Sequence, residues 1–230
     1  MPVVALSFLA VYAALGFGWR SWLQRRHTGS MGFNGISGGT GSVEWLAGVG
    51  FAVAVAGIIL APTLQLLDVL TPVPVFLSMW IQTLGVVSAL FGIAGTLYAQ
   101  LGMGDSWRIG VDHTETTTLV NTGAFAVARN PVFTAMLVLA FGITLMTPNV
   151  LAFIGFAMLF ASIELQVRAV EEPYLEAVHG DAYRDYASTV GRFVPRAGRR
   201  RTGPPRAEGP GPGRRRRRPR RRRPRPRRRR

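Results

Sequence analysis

Long uncharged runs alternate with short charged clusters along this chain. Four runs stand out: Val3–Trp19, Trp45–Leu67, Val69–Gly104 and Asn130–Ile163. A helix needs about 20 apolar residues to cross a bilayer, so the first two runs each fit one crossing. The third is longer than one crossing requires. Pro72 and Pro74 mark its start, Tyr98 and Gln100 sit near its exit, and the expected helix covers roughly 74–99. The fourth run is too long for one helix. Thr147-Pro148-Asn149 in its middle is a turn signal, because proline lacks a backbone donor and asparagine tolerates turn geometry. The run is therefore read as a hairpin, Pro131–Met146 and then Val150 to about Val167. Pro131 suits a first helical position, where its missing N–H is not needed.

The pattern predicts an all-α integral membrane bundle of five transmembrane helices, the last two a helical hairpin, followed by a cytoplasmic C-terminal helical segment. Beyond the membrane, Leu175, Val178, Tyr183, Tyr186, Val190 and Phe193 recur at three-to-five-residue spacing with a break at Gly180. That spacing predicts a helix leaving the membrane, a turn at Gly180, and a short amphipathic helix lying back on the protein or the interface. The linker Arg26–Glu44 is rich in Gly and Ser and reads as a loop. The expected divisions are three N-terminal membrane helices in 1–99, a core with helices four and five in 100–198, and an Arg/Pro-rich tail in 199–230.

Charge sharpens this picture. The formal net charge is +15, yet 18 of the 27 basic residues, all arginine, fall in 199–230 beside one acid, Glu208. The body is close to neutral, so this is not a basic fold. Arg20, Arg25 and Arg26 follow helix one, Arg108 and Arg129 lie between helices three and four, and Arg168, Arg184 and Arg192 follow helix five. With an external N-terminus all of these fall on the cytoplasmic side, as the positive-inside rule asks. Charge follows the first apolar run instead of preceding it, which favours an uncleaved membrane helix over a signal peptide. The tail has almost nothing to bury and is expected to lack fixed structure. It would meet anionic lipid, or RNA non-specifically, with no sequence-specific nucleic-acid contact; a low-complexity extension without a role is the plainer reading.

Several chemistries drop out. The chain has no cysteine, hence no disulfide, thiolate metal site or cysteine nucleophile. His27, His113 and His179 show no metal-ligand spacing, Gly35–Gly41 lacks the lysine of a phosphate loop, and no Gly-x-Ser-x-Gly elbow is present.

Three clusters remain. Arg129-Asn130-Pro131 stands at the mouth of helix four, where a guanidinium and free helical N–H groups favour an anion; alone, Arg129 also suits a topology anchor. Arg168, Glu171 and Glu172 fall at i, i+3 and i+4 and are expected to share one helical face, either as an ion pair or as a site for a cationic ligand. Gly102–Gly110 carries Trp107 and Arg108, which suit an interfacial anchor or a lipid head group.

Taken in order, Gly123…Ala128-Arg129-Asn130-Pro131-Val132-Phe133, a hairpin, Arg168-x-x-Glu171-Glu172-x-x-Leu175, Gly180-x-x-Tyr183-x-x-Tyr186 and Arg192-Phe193-x-Pro195 resemble the isoprenylcysteine carboxyl methyltransferase family. That family and its phospholipid methyltransferase relatives are membrane enzymes using S-adenosylmethionine. The match covers about residues 100–195. The family commonly reads Arg-His-Pro-x-Tyr, whereas this chain has Asn130, which cannot titrate, and Phe133, which lacks a hydroxyl; Ala135 replaces a more usual glycine. By position, the resemblance implies that Arg129, Asn130, Pro131, Phe133 and Glu171 line a cofactor pocket closed by Tyr183 and Tyr186. Arg168 and Glu172 would face the acceptor as catalytic residues, with Trp107 and Arg108 near it. The implied reaction is methyl transfer to a lipophilic carboxylate. The alternatives are N-methylation of a phospholipid or small lipid and, from another class, a non-enzymatic scaffold or transporter subunit.

Overall fold

A computed structural model describes residues 1–29, 38–104 and 119–199. The Arg-rich stretch 200–230, and Trp107 and Arg108, lie outside the described residues.

Helix one begins at Pro2, whose missing N–H falls where none is needed. It runs as α1 (Pro2–Tyr12), a π-helical stretch (Ala13–Trp19) and α2 (Arg20–Thr28), and stops at Gly29 in the left-handed conformation. α3 (Val43–Leu66) starts behind Ser42, whose hydroxyl accepts the Trp45 N–H at 3.1 Å. α4 (Met79–Met103) starts later than the proline pattern suggests. Pro74–Phe76 forms a short 3₁₀ turn of its own, and Ser78 then caps the helix. α5 (Pro131–Met146) and α6 (Val150–Gln166) form the expected hairpin. A π-helical stretch (Val167–Glu171) leads on to α7 (Glu172–His179), and after Gly180 comes α8 (Asp181–Thr189). Gly180 sits at φ 54°, a backbone region glycine occupies without the Cβ penalty.

Among the described residues, four helical rods are long and apolar enough to cross a membrane: Pro2–His27, Val43–Leu66, Met79–Met103 and Val150–His179. Pro131–Met146 is apolar but shorter. α5 packs along α4, and α3 along α6, while helix one rests against α3. Small residues permit these contacts. A Cβ on Gly92 would sit 2.5 Å from the Leu139 nitrogen, and one on Gly142 would sit 2.5 Å from the Gly85 carbonyl oxygen. Such close approach is how membrane helices associate where lipid removes the hydrophobic drive between them. Large side chains point outward, Phe91 and Trp80 among them, as suits a lipid-facing surface.

The α5–α6 turn is tied down. Asn149 is fully buried; its Oδ1 accepts the Ala152 N–H at 3.0 Å, while its Nδ2 donates to Ala61 O and Gln65 Oε1 at the end of α3. At the opposite end lies Arg20, the first charge after the first apolar run. It is buried, and its guanidinium donates to the carbonyls of Gln100 and Gly104 at the end of α4. Gln100 in turn donates to Gly16 O at 3.0 Å, inside the π-helical stretch.

Candidate active site

Where α5 begins, the chain that follows α8 returns and lies beside it. Ala128 and Gly191 form a parallel bridge. The Arg129 N–H donates to Gly191 O at 2.8 Å and the Asn130 N–H to Arg192 O at 3.0 Å. The Thr134 hydroxyl donates to Phe193 O at 2.9 Å. Two further bonds, Arg192 N–H to Ala197 O and Ala197 N–H to Val194 O, fold residues 192–197 into a turn. We call 190–198 the strap.

Glu172 sits beneath this strap at 2 % exposure. A buried carboxylate needs paired charge and hydrogen bonds, and two guanidiniums supply them. Arg129 Nη2 donates to Oε1 at 2.6 Å; Arg192 donates from Nε to Oε1 and from Nη2 to Oε2, both at 2.8 Å. The Arg192 contact is the two-toothed geometry that makes arginine–carboxylate pairs directional. Arg129 spends its other amino group on the carbonyls of Ala187 (2.9 Å) and Val190 (2.7 Å). These are the last carbonyls of α8, where the helix dipole favours a cation. One network thus joins the segment just before α5, the first turn of α7, the end of α8 and the strap.

Tyr183 and Tyr186 are buried on α8 with ring centroids 6.3 Å apart. The Tyr186 hydroxyl donates to Phe125 O at 2.6 Å, tying α8 to the segment before Arg129. Burial pushes the Tyr186 phenol up to about 12, so it stays protonated at neutral pH. Asn130 precedes α5, half-buried, and its amide donates to Arg192 O at 3.3 Å. Pro131 takes the first helical position, as expected. Phe133 packs against the main hydrophobic core. Glu171 is half-buried next to Glu172.

The expected Arg168–Glu172 face does not form. Arg168 is exposed and pairs with Glu164, one turn back. Arg168 lies within the π-helical stretch that ends just before Glu172, and its i→i+5 bonding breaks the register that stacks i and i+4 residues. Arg192 is the residue that sequence reasoning passed over. It stood in the Arg-Phe-x-Pro motif, but nothing local marked it as the partner of a carboxylate twenty positions earlier.

The site can be tested against an anionic cofactor group. Arg129, Arg192 and Glu172 together carry one net positive charge. Among the described residues Arg129 Nε, a buried N–H, has no acceptor, and buried donors are rarely left so. The residues therefore fit a carboxylate-bearing ligand at this point. Among the described residues no His, Asp or Glu group could hold a metal ion.

Comparisons with known proteins bear on the same region. Residues 80–182 match the phospholipid methyltransferase family model. Protein-S-isoprenylcysteine O-methyltransferase A of Arabidopsis thaliana is 27% identical over 142 residues, covering 59% of this chain and 72% of that protein. The solved structure of the eukaryotic intramembrane Ras methyltransferase ICMT (isoprenylcysteine carboxyl methyltransferase) superposes with a TM-score of 0.56 at 19% identity. That superposition covers 85% of this chain and 66% of the other, just under two thirds. All three matches are methyltransferases, and the resemblance of residues 100–195 to the isoprenylcysteine carboxyl methyltransferases and their phospholipid methyltransferase relatives is upheld.

Proposed function

We propose that this chain is an integral-membrane, S-adenosylmethionine-dependent methyltransferase that esterifies the carboxylate of a lipid-borne acceptor of the isoprenylcysteine type. The observation that carries the reading is the buried Arg129–Glu172–Arg192 network at the head of α5, with its spare guanidinium N–H. Arg129, Asn130, Pro131, Phe133 and Glu171 line the cofactor pocket on this reading, and Tyr183 and Tyr186 close it from the aqueous side. When bound, the cofactor supplies an electrophilic methyl group on a sulfonium. Arg168, together with Trp107 and Arg108, meets the acceptor's carboxylate at the membrane surface.

Glu172 acts as an organiser here, not as a proton acceptor. Its carboxylate is held in two ion pairs, which is a poor state for taking a proton. A carboxylate acceptor is already anionic and needs no base, so the chain's work is proximity and orientation, which lower a barrier by about 7–11 kcal/mol in favourable cases. An ammonium acceptor must first lose a proton, which makes an amine the less suitable substrate for this site. The match to the phospholipid methyltransferase model supports that second reading.

The membrane arrangement that goes with this function has five crossings, with α5 as a short fourth. The N-terminus lies outside and the arginine-rich segments lie on the cytoplasmic side, in the three divisions 1–99, 100–198 and 199–230. The acceptor reaches the site sideways from the lipid, and the cofactor reaches it from the aqueous side.

The test uses the purified full chain with methyl-labelled S-adenosylmethionine, offered an S-prenylated cysteine or a membrane lipid extract. Label released as methanol by alkali marks a methyl ester and supports the carboxylate reading. Alkali-stable label on a phospholipid amine supports the second. A folded chain that neither binds the cofactor nor transfers label rejects both and leaves the scaffold or transporter reading.

A further inference from the structure

Glu172 has two arginine partners where one would complete an ion pair. The two arginines differ in what else they do. Arg129 is buried, also donates to the carbonyls of Ala187, Val190 and Gly198, and has no acceptor for Nε among the described residues. The Arg192 side chain, among the described residues, bonds Glu172 alone, with one N–H on each carboxylate oxygen at 2.8 Å. The backbone is shaped to bring it there. Gly191 forms the bridge to Ala128, and a Cβ on it would fall 2.0 Å from Val194 O and 2.6 Å from Ala197 O. A side chain at that position has no room, so glycine is what lets the strap turn this tightly. The Arg192 N–H then donates to Ala197 O, and its carbonyl accepts from the Asn130 N–H and side-chain amide.

Charge decides what the second arginine does. Arg129 with Glu172 alone is a neutral pair, and a neutral pair pulls weakly on an anion. Arg192 adds the second positive charge, so the trio retains one net positive charge where Arg129 presents its unbonded N–H. The other ionisable groups near the trio are Glu171, half-buried next in the chain to Glu172, the buried Tyr183 and Tyr186 on α8, and Glu164 of α6, which pairs with Arg168.

We propose that Arg192 is a positioning residue for the cofactor's carboxylate: by neutralising Glu172 from the strap, it leaves the charge of Arg129 available to hold that carboxylate. The proposal rests on the cofactor reading above. Arg192 touches Glu172 and not the ligand, so its effect reaches the ligand through charge. Glu172 in turn keeps the two guanidiniums side by side, which their mutual repulsion would otherwise oppose.

The experiment measures, by calorimetry on the full chain, the affinities of S-adenosylhomocysteine and of the same molecule lacking its carboxylate, decarboxylated S-adenosylhomocysteine. Their ratio reads the carboxylate alone. The unaltered chain is expected to favour the carboxylate form, and Arg192→Gln to lower the ratio roughly tenfold to a hundredfold. Arg192→Lys keeps the charge and is expected to hold the ratio within about threefold of the unaltered chain. Arg192→Gln combined with Glu172→Gln removes one charge of each sign and restores the net positive charge, so the ratio is expected to recover to a similar extent. If Arg192→Gln does not fold, the Lys and double variants carry the test, and a low ratio in either overturns the proposal. A merely structural role for Arg192 would weaken both ligands equally, and an unaltered ratio in Arg192→Gln overturns the proposal while leaving the cofactor reading intact. A double variant as poor as the single one assigns Arg192 a direct contact with the carboxylate and likewise overturns it. An unaltered chain that binds neither ligand, or both equally, rejects the cofactor reading and this proposal with it.

Discussion

Glu172 shows what one carboxylate does when it is removed from water. Its ionised form survives burial because two guanidiniums converge on it from positions 43 residues before and 20 residues after. Removing it strands Arg129 in the interior. Glu172→Ala is therefore expected to lower stability by about 3–5 kcal/mol, the usual cost of breaking a buried pair from one side; a thermal midpoint equal to that of the unaltered chain would sink this account. Tyr186 offers a gentler probe. Its hydroxyl makes one 2.6 Å bond to Phe125 O, so Tyr186→Phe is expected to cost about 1 kcal/mol. Because burial raises its phenol to about 12 from an ordinary 10, the folded chain keeps the proton longer than the unfolded one. Its stabilising contribution is complete below pH 10 and is lost as the pH climbs toward 12. A pH series of unfolding midpoints for the Phe variant should lack part of that alkaline decline.

Helices are held in pairs by small residues, not by the apolar bulk of their faces. Gly92 and Gly142 let α4 and α5 approach until backbone atoms nearly touch. Since Gly142 has Gly85 O within 2.5 Å of where a Cβ would be, Gly142→Val is expected to push the pair apart, with a loss of more than about 1–3 kcal/mol because the obstruction is backbone and not a movable side chain. Cofactor binding should fall with it, since Arg129 sits two residues before Pro131 at the head of the displaced helix. Chemical denaturation and cofactor calorimetry check both, and normal values for each would show that α4 and α5 do not depend on that contact. The π-helical stretches matter at the same level. The one at Val167–Glu171 turns Glu172 under the strap while leaving Arg168 outside with Glu164.

Considered entire, the molecule is a membrane bundle whose chemistry gathers at one end. Among the described residues four rods are long enough to cross, and α5 is a shorter apolar helix between them. The described bonds of the network around Glu172 run between residues 125 and 198. Deleting 200–230 is expected to leave cofactor affinity unchanged and methyl transfer within about twofold, a change below half a kcal/mol. A larger loss in detergent, where no anionic lipid is present, would mean that the tail contributes to the site.

Much of this architecture was legible in the residues alone. Uncharged runs located the membrane helices, Thr147-Pro148-Asn149 the hairpin turn, Pro131 a helix start, and Gly180 the corner before the amphipathic α8. Each of these is a local property: hydropathy, a missing donor, or a permitted left-handed backbone. The ordered motifs between Gly123 and Pro195 marked the segment that now forms the network. What the chain order did not disclose is which charges meet. Spacing paired Arg168 with Glu172, yet a π-helical turn separates them, and Arg192 returns from beyond α8 to take that place. Arg20 read only as a charge after helix one, and it is buried against the end of α4. Partner choice across 20 to 84 positions depends on where helices pack and how the strap folds back. Those long-range contacts leave no periodic trace in the sequence, and only the assembled bundle supplies the low-dielectric interior that makes them obligatory.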